Sequence, residues 1–123
     1  MNTVALTKIA PEIFRKRLLV EGYYRAEVTE DFIREYFRHL TGALHLRTYG
    51  PPIVHKTSGQ GKEINQGFDA FVPLIDSGIY VGTWGPARFV TIVIYTCGPF
   101  DEQRAVEVVK DYFQLSEYEA AVF

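Results

Sequence analysis

A serine in a turn and the chain's only cysteine stand twenty residues apart, at Ser77 and Cys97. Ser77 sits in Asp76-Ser77-Gly78, between two apolar runs. Cys97 sits in Thr96-Cys97-Gly98, at the end of the next strongly β-like run. A serine hydroxyl can attack the carbonyl before it, which makes such a turn a possible self-cleavage site. A positioned thiol can return a proton to carbon. Together they suit a decarboxylase that makes its own electron sink. Each residue also has a plain reading: a hairpin turn flanked by good turn formers for Ser77, and a small buried thiol for Cys97.

The elements that must position this pair read as strands. Phe68 to Ile75, Ile79 to Trp84 and Phe89 to Thr96 are apolar segments joined by the short turns Asp76-Ser77-Gly78 and Gly85-Pro86. That pattern predicts antiparallel neighbours. Phe89 to Tyr95 is apolar on both parities, which fits a strand covered on both faces. Arg17 to Tyr24 predicts an earlier strand, with the carboxylate of Glu21 set among apolar residues. Such a carboxylate must face solvent, a site or a partner.

Thr29, followed by Glu30 and Asp31, predicts a helix N-terminus. Phe32, Ile33, Tyr36, Phe37 and Leu40 then share one helix face, and Gly42 is the expected terminator. Alternation from Leu44 to Tyr49 predicts a second strand before Gly50-Pro51-Pro52. Residues 55 to 67 read as a loop. Asp101 predicts the cap of a second helix, with Ala105, Val106, Val109, Tyr112 and Phe113 inward, and Tyr118 to Phe123 predicts a last strand. Strands and helices mix without regular alternation, so the expected class is α+β, in one domain spanning residues 1–123 with a lead-in arm over 1–15.

Composition narrows the function. A net charge of −2 without a basic block argues against nucleic acid. The longest uncharged stretch, Phe89 to Phe100, is too short to span a bilayer. One cysteine, with no signal-like start, fits a reducing compartment, and the expected location is cytoplasmic. Gly59-Gln60-Gly61-Lys62 lacks a phosphate loop's first glycine and has Glu63 where Ser or Thr should follow. His39, His45 and His55 have no metal-ligand spacing, so no metal is expected.

Four segments in order resemble the short prokaryotic S-adenosylmethionine decarboxylase family. They are Arg17-Leu18-Leu19-Val20-Glu21-Gly22-Tyr23-Tyr24, Val54-His55-Lys56, Asp76-Ser77-Gly78-Ile79-Tyr80-Val81-Gly82-Thr83-Trp84, and Tyr95-Thr96-Cys97-Gly98. The resemblance implies a two-layer sandwich, an antiparallel sheet with helices on one face, and a homodimer formed through the sheets. It implies self-cleavage between Asp76 and Ser77, a pyruvoyl cofactor derived from Ser77, and Cys97 as proton donor. Glu21 falls near the family's active site and is the expected substrate-binding residue. The implied substrate is S-adenosylmethionine, decarboxylated for spermidine synthesis. A ketone next to an amide would supply the electron sink when carbon dioxide departs.

The chain departs from the family pattern around the cut. Gly82 stands where the family has a histidine that helps remove the serine Cα proton. Asp69 stands where it has a helper serine, and Gly78 replaces a histidine after the cleavage serine. Two further readings therefore stand beside the first. One is a pyruvoyl decarboxylase of another amino acid, such as arginine or ornithine. The other is an uncleaved, inactive homologue that binds or regulates.

Overall fold

The computed structural model describes the backbone of Asn2–Thr3 and residues 8–123, so much of the predicted N-terminal arm lies outside the described residues. In chain order the elements are β1 (Asn2–Thr3), β2 (Lys16–Tyr24), α1 (Glu30–Leu44), β3 (Ile53–Thr57), β4 (Gly67–Leu74), β5 (Ser77–Trp84), β6 (Phe89–Thr96), α2 (Glu102–Phe113) and β7 (Leu115–Val122). Short 3-10 turns at Gly59–Gly61 and Glu63–Asn65 link β3 to β4. The sheet order is β1-β7-β2-β6-β5-β4-β3. All pairings are antiparallel except the two-residue parallel contact of β1 with β7.

The fold is an α+β sandwich, because one parity of each strand joins the helices in a common core. Leu18 and Val20 of β2, Ala70, Val72 and Leu74 of β4, Ile79 and Val81 of β5, and Val90, Ile92 and Ile94 of β6 are buried. They cluster with Ile33, Tyr36, Phe37 and Leu40 of α1 and Ala105, Val109 and Phe113 of α2. Apolar area removed from water is the main stabilising term here, at about 25 cal/mol per Å². Thr29 caps α1 by accepting the Phe32 N–H at 3.1 Å, and Asp101 caps α2 by accepting the Arg104 N–H at 3.1 Å. On α2 the inner face uses Val108, while Val106 and Tyr112 are only half-buried at its margin. The last strand starts at Leu115, ahead of the expected Tyr118.

The predicted strand over Leu44 to Tyr49 does not form. Helix α1 continues past Gly42 to Leu44, and His45 ends it in the left-handed region, at φ 57°. The Leu46 N–H then returns to the Thr41 carbonyl at 2.9 Å. The alternating Leu44 and Leu46 are thus a helix end and the apolar residue that closes over it. The next strand is β3, which begins at Ile53 and runs into the region read as a loop from residue 55. Residues 47–49 instead cross the β4–β5 hairpin. Ile75 N–H bonds the Arg47 carbonyl at 2.8 Å, and Tyr49 N–H bonds the Pro73 carbonyl at 3.0 Å.

The opposite face of the sheet carries no helix. Its parity holds Leu19, Glu21 and Tyr23 of β2, Phe71 of β4, Tyr80, Gly82 and Trp84 of β5, and Phe89, Thr91, Val93 and Tyr95 of β6. Most are half-buried, and Tyr23, Phe71 and Tyr95 are exposed. A face this apolar on an otherwise ordinary polar surface is the mark of an interaction surface. Within one copy, the helices cover strand β6 on one face only.

Candidate active site

Two places on β5 answer to the residues singled out by the sequence. The first is the hairpin turn that opens the strand. Ile75 and Asp76 form a two-residue loop, with Leu74 paired to Ser77 across it. Ser77 has φ 130°, a backbone region that favours glycine and is costly for a residue with a Cβ. Such outliers cost on the order of 1–3 kcal/mol and persist only where surrounding structure enforces them.

The enforcing contacts come from the neighbouring strand and the 47–49 segment. Ser77 pairs with Thr96 of β6. The Cys97 N–H donates to the Asp76 carbonyl at 2.9 Å. That carbonyl belongs to the peptide bond before Ser77, the bond the serine hydroxyl would attack. An N–H aimed at it would also stabilise the oxyanion formed by that attack. The Asp76 carboxylate, largely buried, meets the exposed Arg47 guanidinium at 3.4 Å. Cys97 follows β6 directly and is exposed, with its neighbour Thr96 buried and donating to the Gly98 carbonyl at 2.6 Å. The structure thus brings the Cys97 backbone to the Asp76–Ser77 bond. The exposed Phe71 ring lies over Gly78 and would have to shift for a side chain there.

The second place is the row that crosses the open face at residue 82. Register aligns His55, Asp69, Gly82, Thr91, Glu21 and Glu119 across six strands. Glu21 accepts a hydrogen bond from the Thr91 hydroxyl at 3.0 Å. Its carboxylate, odd in an apolar strand, is therefore part of a polar stripe over the open face. Tyr80 donates to Asp69 Oδ1 at 2.9 Å. Burial, and then the hydrogen bond and charge of Asp69, push the Tyr80 phenol up to about 12. A Cβ placed on Gly82 would stand 2.5 Å from that phenol oxygen.

Five residues of extended strand separate Ser77 from Gly82, roughly 16 Å at ~3.3 Å per residue. Within one copy, then, Glu21 and Asp69 do not meet Ser77 or Cys97. Three groups were not flagged by sequence reasoning: Arg47, assigned to a strand that does not form; Tyr80, whose apolar setting disguised it; and Thr91. The strict alternation around Tyr80 and Thr91 was the available signal, since it puts both on the face of Glu21. Among the described residues no cluster of acidic, histidine or cysteine side chains could hold a metal ion, and no helix is long and apolar enough to cross a membrane.

Comparison with known proteins converges on one family. No curated protein matches the sequence. Among solved structures, the chain is similar to the adenosylmethionine decarboxylase from Aquifex aeolicus VF5, with a TM-score of 0.68 at 20% identity, over 90% of this chain and 89% of that one. At that identity the likeness speaks for the fold: the same sandwich is present in both. A sequence model of the S-adenosylmethionine decarboxylase family matches residues 16–123, from the start of β2 to the C-terminus. The matched span takes in both the Ser77 turn and the row at residue 82, and on that match the chain belongs to the S-adenosylmethionine decarboxylase family.

Proposed function

We propose that the chain is a pyruvoyl-dependent decarboxylase that cuts itself between Asp76 and Ser77 and acts on S-adenosylmethionine or a related amino acid. The observation that carries this reading is the geometry of the Asp76–Ser77 bond. Its carbonyl is held by the Cys97 N–H at 2.9 Å while Ser77 is kept at φ 130°. A plain hairpin turn has no need of a serine in a strained conformation, where glycine would serve without cost. Preorganised donors on a carbonyl favour attack by a neighbouring hydroxyl.

The residues fit a pyruvoyl group made from Ser77, which would supply the electron sink for decarboxylation. Cys97, exposed and with its N–H on the held carbonyl, would return a proton to the substrate carbon. Glu21, on the open face with Thr91 bound to it, is suited to a cationic part of the substrate. A cytoplasmic role in spermidine synthesis fits this chemistry and the single cysteine. The open apolar face fits a second copy of the chain.

A second reading has its own observation. The volume beside Gly82 is taken by Tyr80 rather than by an imidazole. On that reading the chain stays whole and uses its face to bind or regulate.

The deciding measurement is the intact mass of denatured protein, alongside Ser77→Ala. The expected result is two fragments from the native chain, 1–76 and a pyruvoyl-ended 77–123, and one chain from the variant. A native chain that remains whole overturns the decarboxylase reading and leaves the binding protein.

A further inference from the structure

Residues 47–49 cross the β4–β5 hairpin, and the ties they make to it fall on one side of the Asp76–Ser77 bond. The Ile75 N–H donates to the Arg47 carbonyl at 2.8 Å, and the Tyr49 N–H donates to the Pro73 carbonyl at 3.0 Å. Thr48 bridges Leu74 between them. The Arg47 guanidinium then reaches the Asp76 carboxylate at 3.4 Å. Pro73 to Asp76 are thus fastened to an earlier part of the chain, up to the bond itself and no further. From the other side the Cys97 N–H holds the Asp76 carbonyl oxygen at 2.9 Å.

The Arg47 contact uses little of what the residue offers. A guanidinium fork matches a carboxylate two bonds at a time. Here one nitrogen meets one oxygen at 3.4 Å, and 68% of the Arg47 side chain stays exposed against 20% for Asp76. The guanidinium therefore has capacity for a second anion at the same residue.

We propose that Arg47 is a positioning residue that retains the new end of the 1–76 fragment, gripping both carboxylates of Asp76 after the cut. This inference rests on the pyruvoyl reading above.

The cut is what creates the second carboxylate. On that reading Ser77 Oγ bonds the Asp76 carbonyl carbon as the C–N bond breaks, and the hydroxyl proton passes to the nitrogen. An ester then joins the two residues. Water takes the Ser77 Cα proton, the electron pair forms a Cα–Cβ double bond, and Oγ leaves with Asp76. The enamine shifts to an imine, and water replaces its nitrogen, which departs as ammonia. Asp76 now ends in an α-carboxylate beside its own side chain. One oxygen of that group is the oxygen that Cys97 already holds.

Two negative charges on one residue repel, and a cation in contact offsets that repulsion. Arg47 is the cation in contact with Asp76. A chain end stays ordered only where it is tied down. The backbone ties stop at Ile75, which leaves Asp76 to the guanidinium and the Cys97 N–H. Engaged in this way, Arg47 is also withheld from the carboxylate of an incoming amino acid. An ion pair there would stabilise the ground state against loss of carbon dioxide.

The test is digestion of the processed native protein with a broad-specificity carboxypeptidase, read by the masses of both fragments. Trimming follows the fraction of time an end is free. The native 1–76 fragment should lose Asp76 slowly. Arg47→Ala should be cut at Asp76–Ser77 to the native extent, yet lose Asp76 and Ile75 at least about tenfold faster, as expected for removal of a charge-assisted contact. Arg47→Lys keeps the charge without the fork and should fall between the two. Trimming of Phe123 from the other fragment, in the same digest, should not change. Equal trimming of 1–76 in native and Arg47→Ala protein overturns this proposal alone. So does faster trimming of both fragments together, which would make Arg47 a residue of the fold. If both variants stay uncut while the native chain is cut, Arg47 acts before the cut and the proposal falls. A native chain that stays whole overturns it together with the reading beneath it.

Discussion

The two ends of β5 have been treated differently. At the turn, strain at Ser77, the Cys97 N–H and the Arg47–Asp76 contact converge on a single peptide bond. At residue 82 there is no side chain, and the phenol of a tyrosine two positions away lies over the glycine. The turn is defined by backbone hydrogen bonds, which fix geometry whatever the side chains are. The row at 82 is defined by side chains pointing off an open face, which can change identity while the sheet stays as it is. On the proposed pyruvoyl reading, the turn would depend on backbone geometry and the row at 82 on side chains.

The sharpest way to break that comparison is to put the histidine back. Gly82→His alone should gain little, because the new ring meets the Tyr80 phenol. Joined with Tyr80→Ala, the imidazole has room, and fragment formation timed by intact mass should quicken at least about tenfold over Gly82→His alone. Equal rates for the single and double variants would mean that Tyr80 yields freely and that its position carries no meaning.

A smaller effect is expected from the open face itself. Leu19 is half-buried there, clear of both the turn and Tyr80, and paired with Val93 and Ala121. Leu19→Asp would place a charge in the face and should abolish the proposed dimer, read as a monomer by sedimentation. Cleavage at Asp76–Ser77 should be unchanged, because the contacts on that bond lie within one copy. Loss of cleavage with the dimer would tie the turn to the open face and erase the distinction between the two ends.

The smallest change tests whether stability alone moves either step. Tyr36 is fully buried, and its hydroxyl has no hydrogen-bond partner among the described residues. Tyr36→Phe removes a desolvated polar atom and should raise stability by about 1 kcal/mol in denaturant titration. Cleavage should be unchanged. Burial also raises the Tyr36 phenol above its ordinary pKa of 10.0. The unfolded chain releases that proton first, so native stability should fall as pH rises above about 10. The Phe variant should lose part of that alkaline slope.

Much of the fold was legible because its pattern is strong. Alternation and turn residues placed β4, β5 and β6 within about two residues, and Thr29 and Asp101 cap the helices as read. The error at Leu44 to Tyr49 has a physical cause. Leucines two apart fit a strand, but they fit equally a helix that ends at Leu44 and folds Leu46 back over its last turn. That error also hid Arg47, whose partner Asp76 lies across a hairpin that local pattern cannot join to it. The sequence separates Ser77 from Cys97 by twenty residues, and pairing of β5 with β6 sets their backbones side by side. The same pairing puts Glu21 in another row, away from both. Tyr80 and Asp69 needed the register of β4 on β5 before either could be seen to act on the other.

The strand at the margin of the sheet has a bearing on how the chain behaves when concentrated. An unpaired edge invites other strands to add without limit, the route to ribbons and fibres. Here β3 is short, follows Pro51-Pro52, and carries the exposed His55 and Lys56. Prolines withhold donors, and lysine resists desolvation, so growth along the hydrogen-bonding direction is discouraged. The apolar face stays available while this border is guarded, so association is steered toward a finite, closed particle.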